Sequence, residues 1–116
     1  MFSYLNGLDL GLDRSTNELI MMDRRDGGDR VLWRWEGKSL INKTGLAMEA
    51  TKSGVLGLEH NGLINQHWRL EGKNICHGNN LVLDIPHSNT DPGINVIVWK
   101  KNHPYSSNQM WKLEYH

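Results

Sequence analysis

"WRWEGKSLINKTGLAMEA" (Trp33–Ala50) and "WRLEGKNICHGNNLVLDI" (Trp68–Ile85) decide the fold. Laid over one another, Trp, Arg, Glu, Gly and Lys coincide without a gap at a spacing of 35 residues, and Leu46-Ala47-Met48-Glu49 falls on Leu81-Val82-Leu83-Asp84. A period of this length marks a repeat architecture. A third copy is split between the two ends of the chain. "LGLD" (Leu10–Asp13) supplies its early acid-ended strand and "WKLEYH" from Trp111 its Trp strand. The 116 residues thus divide into three units, about 1–38, 39–73 and 74–116, within one domain spanning 1–116.

Each unit reads as about four short strands. "LGLD", "LAME" and "LVLD" alternate as half-buried strands do, and "ELIMM", "GVLGL" and "INVIVW" are apolar and partly β-branched. "LWRW", "HWRL" and "MWKL" alternate too, placing Trp35, Leu70 and Leu113 on one core-like face. The intervening "RRDGGDR" (Arg24–Arg30), "EHNG" and "HGNN" are turn chemistry, the first expected to be a solvated turn carrying both signs of charge. No stretch carries a helical stripe. Three such units suggest a closed, all-β, threefold structure, since closure leaves few sheet edges. If the last strand closes the ring beside the first, the C-terminal Trp111 is pinned, and Trp33, Trp68 and Trp111 are core.

Composition removes several functional classes. Thirteen Lys and Arg balance thirteen Asp and Glu, so no net basic charge marks a nucleic-acid binder, although surface patches of either sign stay open. Cys76 is the one cysteine, so no intrachain disulfide forms. No apolar run approaches a membrane span, and "MFSYLNG" lacks the basic and apolar regions of a signal peptide. The expected setting is the cytoplasm, or release without a visible signal peptide. A self-contained protein is the simpler expectation than a module of a larger chain. "NKT" at Asn42 matches a glycosylation sequon by chance on this reading. His60 with His67, or Cys76 with His77, lack the spacing of a metal set, so no metal or other cofactor is expected. No nucleophile–base pattern, phosphate loop or carboxylate pair appears, so no enzymatic activity is expected.

Gln66-His67-Trp68 and Gln109-Met110-Trp111, with Val31-Leu32-Trp33 as a decayed copy, place a Q-x-W phrase once per unit. Together with the "L-x-[LM]-[DE]" strand of each unit, this resembles the ricin-type β-trefoil lectins over the whole chain. The resemblance implies a β-trefoil fold of three pseudo-repeats and a glycan ligand of the galactose or N-acetylgalactosamine type. In such lectins a working site combines an Asp after the early strand, an aromatic ending the next strand, and an Asn-Gln pair before the core Trp. By that pattern the third unit is complete, with Asp84, Trp99, Asn108 and Gln109. Trp99 would offer a flat apolar platform to the C–H face of a sugar. Asp84 would accept from two hydroxyls. Asn108 would both donate and accept, Gln109 would hold Asp84 in place, and His87 or Asn102 would border the pocket. Ile97 stands where many such sites carry a Gln.

The other units depart from the pattern. The first has Asp13 but Met22 at the aromatic position and Arg30-Val31 in place of Asn-Gln; the second keeps Asn65-Gln66 but has Glu49, Leu58 and a shorter loop. Both read as inactive; the alternative for the second is that His60 could serve as a substitute platform. Each member of the set also has a plain structural reading. Met22, Leu58 and Trp99 could form a buried apolar ring, the acids could cap turns, and the Asn-Gln pairs could be scaffold. "WKK" (Trp99–Lys101) could meet an acidic glycan, against the plainer reading of a solvated loop. One site per chain implies weak binding, which a homodimer would strengthen. The alternative to a lectin is a protein-interaction trefoil that has lost sugar recognition.

Overall fold

The structure, a computed structural model, describes residues 1–102 and 106–112. Twelve short strands follow one another: β1 (Phe2–Ser3), β2 (Asp9–Leu12), β3 (Leu19–Met22), β4 (Trp33–Glu36), β5 (Ser39–Asn42), β6 (Ala47–Thr51), β7 (Gly54–Leu58), β8 (Arg69–Glu71), β9 (Asn74–His77), β10 (Leu81–Asp84), β11 (Ile97–Lys100) and β12 (Trp111–Lys112). They make three antiparallel four-stranded sheets, ordered β12-β1-β2-β3, β4-β5-β6-β7 and β8-β9-β10-β11. Each sheet therefore joins the Trp strand of one unit to the first three strands of the next.

The ribbons β12–β1, β4–β5 and β8–β9 build a ring, and the hairpins β2–β3, β6–β7 and β10–β11 cap it. This is the β-trefoil. Phe2 pairs with Lys112 and Ser3 with Trp111, so the last strand does close against the first. Successive ribbons are tied by Trp68 N–H to Lys38 O and Trp111 N–H to Lys73 O, each 2.8 Å.

The three tryptophans do the same work in each unit. Each indole is buried, and each indole N–H donates to a carbonyl of the hairpin strand of its own unit. Trp33 reaches Leu10 O at 2.9 Å, Trp68 reaches Met48 O at 2.8 Å and Trp111 reaches Leu83 O at 3.2 Å. A buried indole needs such a partner, and here the partner locks cap to ring. Leu12, Leu19, Met21, Met48, Val55, Leu83, Ile85 and Val96 fill the centre between them. The caps also touch: Gly57 N–H donates to Asn17 O at 2.8 Å and Val96 N–H to Leu19 O at 2.9 Å. A Cβ on Gly57 would stand within 2.4 Å of Leu12 Cδ1, so this approach requires glycine.

Two expectations need correction. Trp35 is half-buried against the core, but its counterpart Leu70 is 48% exposed, on a strand whose three residues all face solvent. Leu113 lies outside the described residues. "RRDGGDR" is more than a solvated turn. Arg24–Gly27 forms one helical turn, α1, capped by Asp23, whose carboxylate accepts from Arg25 N–H at 2.9 Å, and Gly28–Val31 continues as a 3-10 turn. Arg24 Nε meets Oδ2 of the buried Asp9 at 2.7 Å, and Arg30 Nη1 donates to Asp13 O at 3.2 Å and to Asn17 Oδ1 at 3.3 Å. Asn42 of the sequon is buried, with its amide donating to Arg30 O at 2.8 Å.

Candidate functional site

The β10–β11 hairpin of the third unit carries a cleft of about 410 Å³, within the roughly 300–1,000 Å³ usual for small-molecule sites. Asp84 ends β10 and pairs across the hairpin with Ile97; Trp99, two residues on, shares the face of Ile97. Ile97 and Trp99 make one wall. Trp99 is 54% exposed, so it is not part of a buried ring.

The connection after β10 makes the opposite wall. A 3-10 turn over Pro86–Ser88 carries His87 (φ 56°) and Ser88 (φ 51°) in left-handed conformation. Two consecutive non-glycine residues in that region store backbone strain, which structures keep where a side chain must be aimed. Both line the cleft, as do Asn102 and Ser106 at its rim, where Asn102 Nδ2 donates to Ser106 Oγ at 2.8 Å.

The floor is a carboxylate held from one side. Asp84 Oδ2 accepts from Gln109 Nε2 at 2.8 Å and from Asn108 Nδ2 at 3.3 Å, whereas its Oδ1 has no partner among the described residues. Gln109 is fully buried and fully occupied. Its amide also donates to Lys100 O at 3.0 Å, and its Oε1 accepts from Asn102 N–H at 2.9 Å. It stitches the ends of β10 and β11 together beneath the cleft and does not line it.

Asn108 departs from its expected double role. Its second donated bond goes to Ile85 O at 3.2 Å, so both amide protons are spent inside the protein and Oδ1 is left as an acceptor. The structure thus brings Asp84, Trp99, Asn108, His87 and Asn102 to one cleft, with Gln109 behind it. Pro86, Ser88 and Ser106 were not anticipated. Pro86, two residues after the acid, was the available hint of a turn there, and the serines carried no signal. The cleft offers acceptors on its floor, an apolar wall and no Lys or Arg.

In the second unit the same clamp is present without the cleft residues. Gln66 Nε2 donates to Glu49 Oε1 at 2.8 Å and to Glu59 O at 2.9 Å, and its Oε1 accepts from Asn61 N–H at 2.9 Å. Asn65 is exposed, Leu58 replaces the ring, and His60 turns Nε2 to Ser39 Oγ at 3.1 Å. In the first unit the hairpin register corrects the sequence alignment. Asp9 pairs with Met22 and Gly11 with Ile20, as Val82 pairs with Trp99 and Asp84 with Ile97. The counterpart of Asp84 is therefore Gly11. Asp13 lies two residues beyond, where its carboxylate accepts from Ser15 N–H at 2.8 Å and Thr16 N–H at 3.1 Å. Those backbone donors hold its pKa below the usual carboxylate range. The space an acid would use is filled, because a Cβ on Gly11 would stand 2.5 Å from Met22 Sδ and 2.9 Å from Val31 Cγ1. Among the described residues no three His, Cys, Asp or Glu side chains converge to hold a metal ion, and no helix is long and apolar enough to cross a membrane.

No protein-family model and no curated protein matches the sequence. Solved structures do match by shape. The earthworm R-type lectin C-half in complex with GalNAc superposes with a TM-score of 0.85 at 21% identity, over 99% of this chain and 95% of that one. The designed threefold symmetric protein ThreeFoil matches with a TM-score of 0.77 at 21% identity, over 96% and 93%. A mosquitocidal holotoxin matches with a TM-score of 0.79 at 16% identity, over 99% of this chain and 16% of that one. At these identities the likeness establishes the β-trefoil and no more.

Proposed function

We propose that this protein is a carbohydrate-binding lectin of R-type character, without enzymatic activity, that takes a galactose- or N-acetylgalactosamine-type sugar in the third unit. The observation that carries the reading is the pair of unfilled acceptors, Asp84 Oδ1 and Asn108 Oδ1, on the floor of a cleft walled by an exposed indole. Such a floor calls for a ligand with adjacent hydroxyl donors. The indole calls for one with an apolar face. A galactose-type pyranose has both, because its axial hydroxyl leaves one face apolar and gathers the polar edge on the other side. The lectin among the similar structures, bound to GalNAc, supports the choice of sugar.

Calorimetric titration with galactose, N-acetylgalactosamine and lactose at millimolar ligand tests it. One equivalent per chain is expected, and absence of heat with all three would overturn it. A second reading, protein interaction, is favoured by Leu63 and Ile64, which stand 61% and 76% exposed on the loop of the second unit. Heat with none of the sugars, together with concentration-dependent self-association or retrieval of a defined partner lost on replacing these two residues by Ser, would favour it.

A further inference from the structure

A second face of the molecule carries two adjoining clefts that share no lining residue with the Asp84 cleft. One, of about 520 Å³, is bordered by Lys38, His67, Arg69, His77, Asn65 and Asn79; the other, of about 320 Å³, by Arg69, Glu71, Asn79, Asn80, Lys100 and Lys101. They meet at Arg69 and Asn79 and run across the β8–β9 ribbon.

The charge on this face is one-sided although the chain as a whole is neutral. Among the described residues lining the two clefts, Lys38, Arg69 and Lys100 stand against one carboxylate, that of Glu71, which Arg69 Nε already engages at 2.6 Å. Lys38 and Lys100 are exposed, and neither ammonium has an ion-pair partner among the described residues. Lys73, the repeat counterpart of Lys38, instead lies over the Tyr4 ring at 4.7 Å. Position in the repeat therefore does not account for a free ammonium at Lys38. His67 Nε2 and His77 Nδ1 each sit 3.0 Å from a backbone carbonyl, which leaves the other ring nitrogen of each to a ligand.

We propose that this face binds an acidic glycan, one carrying sulfate or carboxylate groups along a sugar chain, independently of the third-unit site. The cations would meet the anionic groups, and the amides of Asn65, Asn79 and Asn80 suit the hydroxyls between them. The extent across two joined clefts fits a chain of several residues. A nucleic acid fits less well. Trp68, the one Trp, Tyr or Phe among the described residues that borders either cleft, is buried with its ring against His77 at 4.9 Å, so it offers no open face for base stacking.

The test is fluorescence anisotropy with a labelled sulfated hexasaccharide, its desulfated counterpart and a single-stranded oligonucleotide of equal charge, at about 0.05 M and 0.3 M salt. The sulfated probe should bind, weaken with salt and be preferred over both controls. The double variant K38Q/K100Q should lose roughly tenfold in affinity, the combined effect of two exposed charge contacts. K43Q/K52Q, which removes the same charge from exposed lysines elsewhere, should not, and W99A should keep the full affinity. Equal loss in both lysine pairs, equal binding of the desulfated chain or the oligonucleotide, or no binding of the sulfated probe would each overturn the proposal. Loss in W99A would assign the acidic glycan to the Asp84 cleft instead and overturn the separate site.

Discussion

The second and third units carry the same glutamine clamp, and one of them has a cleft built over it. Gln66 and Gln109 make corresponding bonds to the acid, to a carbonyl at the end of the hairpin and from a backbone N–H. The difference lies in the connection between the hairpin strands. In the second unit β6 and β7 are joined directly across Thr51–Gly54, whereas in the third the chain runs from Asp84 to Ile97 through the strained Pro86–Ser88 turn. Without that segment the second unit has no opposing wall, and Asn65 remains in solvent where Asn108 is tucked between Asp84 and Ile85 O. The Gln of the Q-x-W phrase is thus a piece of scaffold, and the wall, the indole and the inward Asn separate the third-unit cleft from its copy.

The sharpest way to break this comparison is D84N. The amide would keep its oxygen toward Gln109 and Asn108 and turn its NH2 into the cleft, a donor where an acceptor stood. Sugar affinity should fall roughly 100-fold, with W99A close behind, and the urea midpoint of W99A should be unchanged. Retained affinity in calorimetry for either variant would detach binding from the third unit.

The glutamines come next. Q109A should cost about 2–3 kcal/mol in urea unfolding, since it leaves the buried Asp84 carboxylate and backbone groups short of a partner, and Q66A about 1–2 kcal/mol, since the half-buried Glu49 keeps access to water. Sugar affinity should drop in Q109A alone. Equal affinity loss in both would mean that the second unit binds as well. In the first unit, G11A should cost about 1–3 kcal/mol through overpacking against Met22 and Val31; an unchanged melting temperature would contradict the register given above.

A weaker lever is the graft E49D/L58W. It restores the acid and ring but not the wall, so the calorimetric stoichiometry should stay at one; a second equivalent would show that the wall is dispensable. The smallest effect belongs to Asp13. Its pKa is depressed by the Ser15 and Thr16 N–H groups, so its contribution is present above the ordinary value of 3.8 and is lost as pH falls through the lower folded value. D13A should therefore lower stability slightly at pH 7 and hardly at all near pH 2, measured as the difference in urea midpoints.

Much of the architecture was legible in the residues. A spacing of 35 between two Trp-Arg-x-Glu-Gly-Lys phrases, with short alternating strands between glycine-rich turns, could bury its apolar faces only by closing three units on one another. Core roles for Trp33, Trp68 and Trp111 followed because an indole recurring at the repeat period faces the same interior each time. Asp84, Trp99, Asn108, His87 and Asn102 at the third-unit cleft were legible as well, because the full set accumulates in one unit alone, whereas Ser88 and Ser106 carried no signal.

Other features were decided only in three dimensions. Sequence spacing put Asp13 opposite Asp84, and strand register moved that place to Gly11, because hydrogen-bond pairing, not residue count, sets which side chains share a face. Asn108 was a donor and an acceptor on paper, and the nearby Ile85 carbonyl and Asp84 carboxylate left it an acceptor. Leu70 was apolar at a core-like position, yet it stands in solvent, whereas Trp35 on the equally edge-placed β4 packs against the core. The basic face gathers Lys38, Arg69 and Lys100 from three different units. Net composition conceals such a patch, since charge acts through distance in space and only the closed ring brings these side chains together.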